Sequence, residues 1–150
     1  MSSKKTGKQI RDEEDYGAVL ASTPYFFVYG TLQTDYHNNA LFGTSSRFVR
    51  TDKTEMEFFL IDVGFPYAIP SWVVPKKHSE LLRPVWGEVW EVTNKKVARS
   101  LDTLEGYPSH YNRTLVQTSK GHWCWMYYLD EMDPVYYAKP CSYLEGAWKW

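Results

Sequence analysis

The sequence predicts an α+β fold, namely a small mixed or antiparallel β-barrel with flanking helices. Most of the chain after Pro24 has the composition of strands, and only one segment has strong helical spacing. The strands do not alternate with helices, as they would in a series of βαβ units. The length of 150 residues is common for a single domain.

The first 22 residues differ in composition from the rest of the chain. Lys4, Lys5, Lys8 and Arg11 precede an acidic run over residues 12–15, and apolar residues are few. Such a segment buries too little apolar surface to offset its ordering entropy. We therefore expect a flexible charged tail over residues 1–22 and one domain over residues 23–150. An organelle-targeting or docking segment is the alternative for the tail.

Six stretches have the composition of strands. Residues 25–29 form a continuous apolar run, which predicts a strand that is buried on both faces. The others are residues 47–51, 54–62, 85–92, 111–119 and 122–130. Tight turns are predicted at residues 52–53 and 120–121, the second of which would make a hairpin. Gly87 in mid-strand indicates a bulge or a close approach of another backbone.

Residues 93–106 are the best helix candidate. Val97, Leu101 and Leu104 recur at helical spacing, and Thr93 or Asn94 is suited to cap the start. Gly106 is suited to end the helix in the left-handed conformation, with Pro108 shortly after it.

Charge and composition exclude several classes of partner. The formal net charge of −1 implies no basic surface for nucleic acid, and no apolar run is long enough to span a membrane. The N-terminus has no apolar centre of a signal peptide, so a cytoplasmic protein is expected. Two cysteines without a C-x-x-C pair, and histidines without ligand spacing, indicate neither a disulfide framework nor a metal site.

The first candidate site is the end of the predicted strand at Tyr29-Gly30-Thr31-Leu32. Glycine adopts backbone angles that other residues avoid, so consecutive N–H groups can turn into one concavity and bind a carboxylate or an oxyanion. A plain strand-to-loop turn is the alternative reading of this short motif.

The second candidate is Glu105 in the stretch DTLEGYPSHYNR, residues 102–113. An acid at a helix C-terminus opposes the macrodipole. If it is buried among Tyr107, Tyr111 and nearby tryptophans, its pKa should rise, which prepares a proton acceptor. A solvated acid, like its neighbour Asp102, is the alternative. For Arg113 we expect a structural ion pair with an acid.

Together the two stretches resemble a known family. FVYGTL, the strand GEVWEV and the pattern L-E-G-x-P-x-x-Y-x-R, in that order, resemble the γ-glutamylcyclotransferase-like superfamily. GFPYAIP at residues 64–70 is most similar to the γ-glutamylaminecyclotransferase branch. The resemblance spans about residues 25–128, and outside it the end YLEGAWKW matches only loosely.

The resemblance implies a barrel-like fold and a cyclase that needs no metal or cofactor. A γ-glutamyl amine, such as a γ-glutamyl-ε-lysine type isopeptide, would be converted to 5-oxoproline and free amine by attack of the substrate's own α-amine. Glu105 matches the family glutamate and would act as general acid and base. The substrate-binding residues would be Tyr29, Gly30, Thr31, Leu32, Phe65, Tyr111 and Tyr127, with Tyr128 as the alternative register for the last.

Two other functions remain open from the sequence. The same motifs suit a γ-glutamyl cyclase that acts on glutathione or on γ-glutamyl amino acids. A non-catalytic binding or interaction protein would keep the same cavity, because a fold does not guarantee activity. The expected partner in each enzyme reading is a small γ-glutamyl molecule, and the oligomeric state is not indicated by the sequence.

Overall fold

Six strands and three α-helices make up the described part of the chain, which in this computed structural model is residues 4–62, 64–133 and 135. The helices are α1 (Gly7–Glu13), α2 (Tyr16–Ser22) and α3 (Lys95–Glu105). The strands are β1 (Tyr25–Val28), β2 (Arg47–Asp62), β3 (Pro66–Pro70), β4 (Arg83–Glu91), β5 (Asn112–Gln117) and β6 (Trp123–Tyr128). Two short 3₁₀ helices cover His37–Phe42 and Lys76–Leu81.

The strands form one mixed sheet in the order β3-β2-β4-β1-β6-β5. β1 and β6 pair in parallel, whereas the other neighbours are antiparallel. The predicted α+β class is therefore confirmed. Closure into a barrel stays a prediction, although the sheet is curled: Thr54 of β2 bridges to Thr118, and the Leu129 N–H donates to the Ala68 carbonyl of β3 at 3.0 Å.

The apolar core has two parts, one on each face of the sheet. β1 contributes Phe26 and Val28 to the part that includes residues of α2 and α3. Phe27 of β1 and Tyr29, which directly follows the strand, belong to the other part, which otherwise consists of strand residues. Because successive side chains of a strand point to opposite faces, the continuous apolar run of β1 is buried on both sides as predicted.

The turn predicted at residues 52–53 is wrong, because β2 runs without interruption from Arg47 to Asp62. Asp52 is buried, and its carboxylate accepts hydrogen bonds from the Ser119 hydroxyl at 2.5 Å and from the Lys53 and Lys120 amides. Only a register irregularity marks the place where a turn was expected. A contact remote in sequence therefore replaces the local turn.

The N-terminal residues also differ from the expectation of a flexible tail. They form α1 and α2, which begin at side-chain caps, Thr6 and Asp15 respectively. Tyr16 and Val19 of α2 are buried in the core part that faces the helices. These two residues anchor the segment in the core, although its overall composition is polar. The division of the chain at residue 22 stays a prediction.

Helix α3 confirms the predicted helix and both of its ends. The Asn94 side chain accepts from the Lys96 amide, and Gly106 takes the left-handed conformation with φ 67°. Ala98 and Leu101 are fully buried, whereas Leu104, which was expected on the same apolar face, is 41% exposed. None of the described helices has the length and apolar character to span a membrane.

We expect Gly87→Ala to destabilise the fold, because β4 and β1 are too close at this point for a side chain. An added Cβ would lie 2.3 Å from the Val28 carbonyl oxygen and 2.8 Å from the Phe27 ring. Overpacking of this kind costs about 1–3 kcal/mol, so thermal unfolding should show a Tm lower by about 4–10 °C.

Gly17→Ala in α2 is the matched control for this substitution. The three atoms nearest to its Cβ would belong to the side chains of Asp15 and Lys95, at 3.1–3.4 Å and not to the backbone, and alanine has the higher helix propensity. Its Tm should not fall. An unchanged Tm for Gly87→Ala would contradict the close approach.

Candidate active site

A cavity of about 410 Å³ lies where the loop after β1 meets the end of α3. Its size is in the range of pockets that hold a small ligand. The sequence-predicted site residues all line it: Tyr29, Gly30, Thr31, Leu32, Phe65, Glu105, Tyr111 and Tyr127. The two motifs, remote in sequence, therefore converge on one cavity. Its lining also includes His37, Asn38, Pro66, Leu104 and His110, which the sequence did not single out as site residues.

The loop at Tyr29 to Leu32 is held by hydrogen bonds from the short 3₁₀ helix at His37–Phe42. The Asn38 side-chain amide donates to the Thr31 hydroxyl, and the Asn39 amide donates to the Leu32 carbonyl, each at 2.8 Å. The Tyr29 hydroxyl donates to the Tyr127 carbonyl at 2.8 Å. The sequence did not single out the two asparagines. They lie seven residues after their partners, and only the folding of the short helix against the loop brings the two together.

Gly30 is required because a side chain would not fit at this position, and not because the backbone is left-handed there. Its φ lies outside the left-handed region, contrary to the expectation from the sequence. A Cβ at this position would lie 2.9 Å from the Pro66 ring. The glycine therefore permits the loop to pack closely against the start of β3.

The loop amides are available to a ligand. Among the described residues, no acceptor receives a hydrogen bond from the N–H groups of Gly30, Thr31 or Leu32. Immediately after the loop, the Glu88 carboxylate of β4 accepts from the amide and the hydroxyl of Thr34 at 2.8 and 3.0 Å. The loop thus has fixed ends and unpaired donors at its centre, a combination suited to an anion.

Glu105 is the last residue of α3, and its carboxyl has an unusual environment. Burial raises its pKa to about 7, and the nearby charge of Asp102 adds to the effect. Glu105 in turn helps to raise the pKa of Tyr29 and of Tyr127, after the larger effect of their own burial. A carboxyl with this pKa exchanges protons near neutral pH, as a general acid and base must.

Asp102 is not the solvated acid that the sequence suggested. It is 1% exposed, and its carboxylate accepts from Arg113 Nε and Nη2 at 3.0 and 3.1 Å. The Arg113 guanidinium also lies 4.1 Å from the Tyr107 ring centroid and 4.7 Å from that of Trp125. The structural ion pair expected for Arg113 is therefore confirmed, with Asp102 as its partner.

Three aromatic side chains form walls of the cavity. Phe65 is 44% exposed, and its ring packs edge-on against Tyr67. The Tyr111 hydroxyl donates to the Pro66 carbonyl at 3.1 Å. Tyr127 lines the cavity, whereas its neighbour Tyr128 belongs to the core part on the other face of the sheet. The structure thus places Tyr127 rather than Tyr128 in the cavity lining, and a role for Tyr127 in substrate binding stays a prediction.

Comparison with known proteins identifies the family. The family model for gamma-glutamyl cyclotransferase, AIG2-like, matches residues 26–149. An AIG2-like protein from Mus musculus has a similar structure, with 26% identity, a TM-score of 0.62 and coverage of 78% of this chain and 84% of that chain.

Two further solved structures share the fold. They are a Pyrococcus horikoshii protein (18% identity, TM-score 0.62, 84% of this chain and 90% of that chain) and a uropathogenic E. coli-specific protein (19% identity, TM-score 0.59, 83% and 91%). No curated protein matches the sequence. Because the family model covers most of the chain, this protein belongs to the AIG2-like gamma-glutamyl cyclotransferase family.

Proposed function

We propose that the protein is a γ-glutamylaminecyclotransferase, which converts a γ-glutamyl amine to 5-oxoproline and the free amine. The observation that carries the proposal is the meeting of Glu105, with its pKa of about 7, and the unpaired amides of the loop at Gly30 to Leu32 in one cavity. The family and the likeness to the mouse AIG2-like protein support the reaction class.

The reaction needs a base but no enzyme nucleophile. The neutral form of the substrate's α-amine attacks its own δ-carbonyl carbon, which forms the ring C–N bond and leaves a tetrahedral oxyanion. The Glu105 carboxylate takes the proton that the attacking nitrogen loses. The protonated Glu105 then gives a proton to the leaving nitrogen as the amide C–N bond breaks, which restores the carboxylate. Atoms and protons balance, and no water is consumed.

The pKa of Glu105 suits this proton transfer. An α-amino group titrates near about 7.7–8.0, so only a minor, neutral fraction of the amine can attack at neutral pH, and the attacking nitrogen then carries a positive charge until it loses a proton. A carboxyl with an ordinary pKa of 4.5 would be a weak acceptor, whereas one near 7 is almost matched to the amine. A positioned acid–base group of this kind contributes about 10²–10⁴ in rate.

The loop would hold the negative groups of the substrate. Amides of Gly30, Thr31 and Leu32 are suited to bind the α-carboxylate or the developing oxyanion, and loss of one such donor can cost about 2.7–4 kcal/mol. Phe65, Tyr111 and Tyr127 would enclose the glutamyl chain. If the cavity holds the glutamyl chain in its cyclising conformation, the α-amine nitrogen lies close to the δ-carbonyl carbon. The entropic cost of bringing these two atoms together is then met on binding.

Below about pH 7 we expect kcat/KM to lose a further factor of about ten per pH unit, beyond the loss that protonation of the substrate amine causes. The raised pKa means that Glu105 is protonated below this value and then cannot accept the amine proton. The amine itself adds a second rise toward its own pKa. Initial rates of 5-oxoproline release between pH 5 and 9 measure the profile. A loss that stays at about tenfold per pH unit from pH 7 down to pH 5, as the amine alone would give, would contradict the raised pKa of Glu105.

A panel of substrates tests the proposed function. Purified protein is incubated with γ-glutamyl-ε-lysine, a γ-glutamyl alkylamine, glutathione and γ-glutamyl-alanine, and 5-oxoproline is quantified. The highest kcat/KM is expected for the first two. A preference for glutathione or γ-glutamyl-alanine would assign a different leaving group to the same chemistry. Absence of turnover on all four, with measurable binding, would show a non-catalytic binding protein.

A further inference from the structure

Helices α1 and α2 lie outside the residues that match the family, yet they contact the helix that carries Glu105 and the turn after it. Arg11 Nη1 donates to the Tyr107 carbonyl at 2.6 Å. Arg99 of α3 forms an ion pair with Asp12. These contacts place the N-terminal segment against the active-site helix, since Tyr107 is only two residues beyond Glu105.

The deepest of these contacts is made by Tyr16 of α2. This residue is 8% exposed, and its hydroxyl donates to Asp102 Oδ2 at 2.9 Å. The neighbouring Glu14 accepts from Arg113 Nη2 at 3.0 Å. The N-terminal segment therefore reaches the buried ion pair of Asp102 and Arg113 directly.

The Asp102 carboxylate connects this segment to the cavity. Each of its two oxygens accepts one bond from Arg113 and one from a tyrosine. Tyr16 donates to Oδ2, whereas Tyr127 donates to Oδ1 at 2.6 Å. Tyr127 lines the cavity, and Asp102 precedes Glu105 by three residues on α3, which is about one helical turn. One carboxylate thus holds both a wall of the cavity and the helix that presents Glu105.

We propose that Tyr16 is a positioning residue of the active site, which holds Asp102 and, through it, Tyr127 and the end of α3 in the geometry that catalysis requires. The inference rests on the proposed function for its kinetic test, but its contacts are independent of the substrate. The N-terminal segment would then contribute to the geometry of the active site.

The titration of Glu105 supplies a second test. The titratable groups that line the cavity with it are Tyr29, His37, His110, Tyr111 and Tyr127, and Asp102 lies about one turn before it on α3. Asp102 is one cause of its raised pKa. Without the hydroxyl of Tyr16, the charge of Asp102 is less dispersed and should act more strongly on Glu105. The Glu105 pKa should then rise further in Tyr16→Phe.

The experiment compares Tyr16→Phe with Val19→Ala in the full-length chain. Val19 lies one turn further along α2 and is buried in the same part of the core, but its apolar side chain has no group that could donate a hydrogen bond to Asp102. Both variants should lower the Tm. Only Tyr16→Phe should lower kcat, by about tenfold with KM within about twofold, because small misplacements of a catalytic group have large effects on rate.

The carboxyl resonance of Glu105 is titrated by ¹³C NMR in the same proteins and is assigned by its loss in Glu105→Gln. Its midpoint should rise in Tyr16→Phe and stay at the wild-type value in Val19→Ala. A selective effect on kcat or on the midpoint supports the inference. Equal behaviour of the two variants in both measurements overturns it. If the wild type forms no 5-oxoproline, the proposed function fails, and the NMR comparison alone decides the role of Tyr16.

Discussion

Glu105→Gln is expected to lower the rate of 5-oxoproline release by about 10²–10⁴-fold, with little change in KM. Glutamine keeps the size of the side chain and its place in the cavity lining, but it cannot take a proton from the attacking amine. The loop at Gly30 to Leu32 is untouched, so substrate binding should persist. Steady-state kinetics on the best member of the substrate panel measure the effect.

The loss should not come from unfolding. Glu105 has a raised pKa in the folded protein, so it binds its proton more tightly there than in the unfolded chain. Its contribution to stability is present below the unfolded value near 4.5 and is lost as pH rises through about 7. Removal of the buried charge should therefore leave the Tm at pH 8 equal to or above that of the wild type.

Glu55→Gln is the matched control, since Glu55 is exposed on β2 and lies outside the cavity. It should retain wild-type kinetics. If Glu105→Gln and Glu55→Gln turned over the substrate equally fast, Glu105 would have no place in the mechanism.

Arg113→Met should lower the free energy of unfolding by about 3–5 kcal/mol, because it leaves the charge of Asp102 buried without its partner. The two side chains are 4% and 1% exposed, and their contact is bidentate. The substitution also removes the cation from between the rings of Tyr107 and Trp125. The Tm should fall on the order of 10 °C.

Arg47→Met provides the comparison at the surface. Arg47 pairs with Glu91 at 3.2 Å, but its side chain is 62% exposed. Exposed ion pairs contribute about 0–1 kcal/mol, so the Tm should change little. Urea unfolding of both variants gives the two free energies. Similar losses for the two arginines would refute the distinct role of the buried pair.

Local patterns in the sequence are enough to predict the strand β1, the hairpin of β5 and β6 and the limits of α3. Each of these depends on neighbouring residues: an apolar run, the turn at Lys120-Gly121, or the caps Asn94 and Gly106. The turn expected at residues 52–53 fails for the opposite reason. Asp52 has the composition of a turn residue, but its partner Ser119 is 67 residues away.

In the N-terminal segment, too, local patterns did not reveal contacts with residues that are remote in sequence. Its many charges predict a solvated tail, and several of them are indeed exposed in α1. Tyr16 and Glu14 nevertheless find partners in Asp102 and Arg113, 86 and 99 residues further along. No local pattern contains these pairs, because their energy comes from groups that only folding brings together.

The sequence by itself determined the positions of β1, β4, β5 and β6, of helix α3 and of the two motifs that meet in the cavity, whereas it divided β2 and did not indicate β3. These properties arise from periodicity, caps and turn residues, which act over a few neighbouring positions. The tertiary structure decided that Gly30 packs against Pro66, that Asp102 is a buried anchor and that the pKa of Glu105 rises to about 7. Burial and charge depend on distances through space, and those distances are set only when remote parts of the chain pack together.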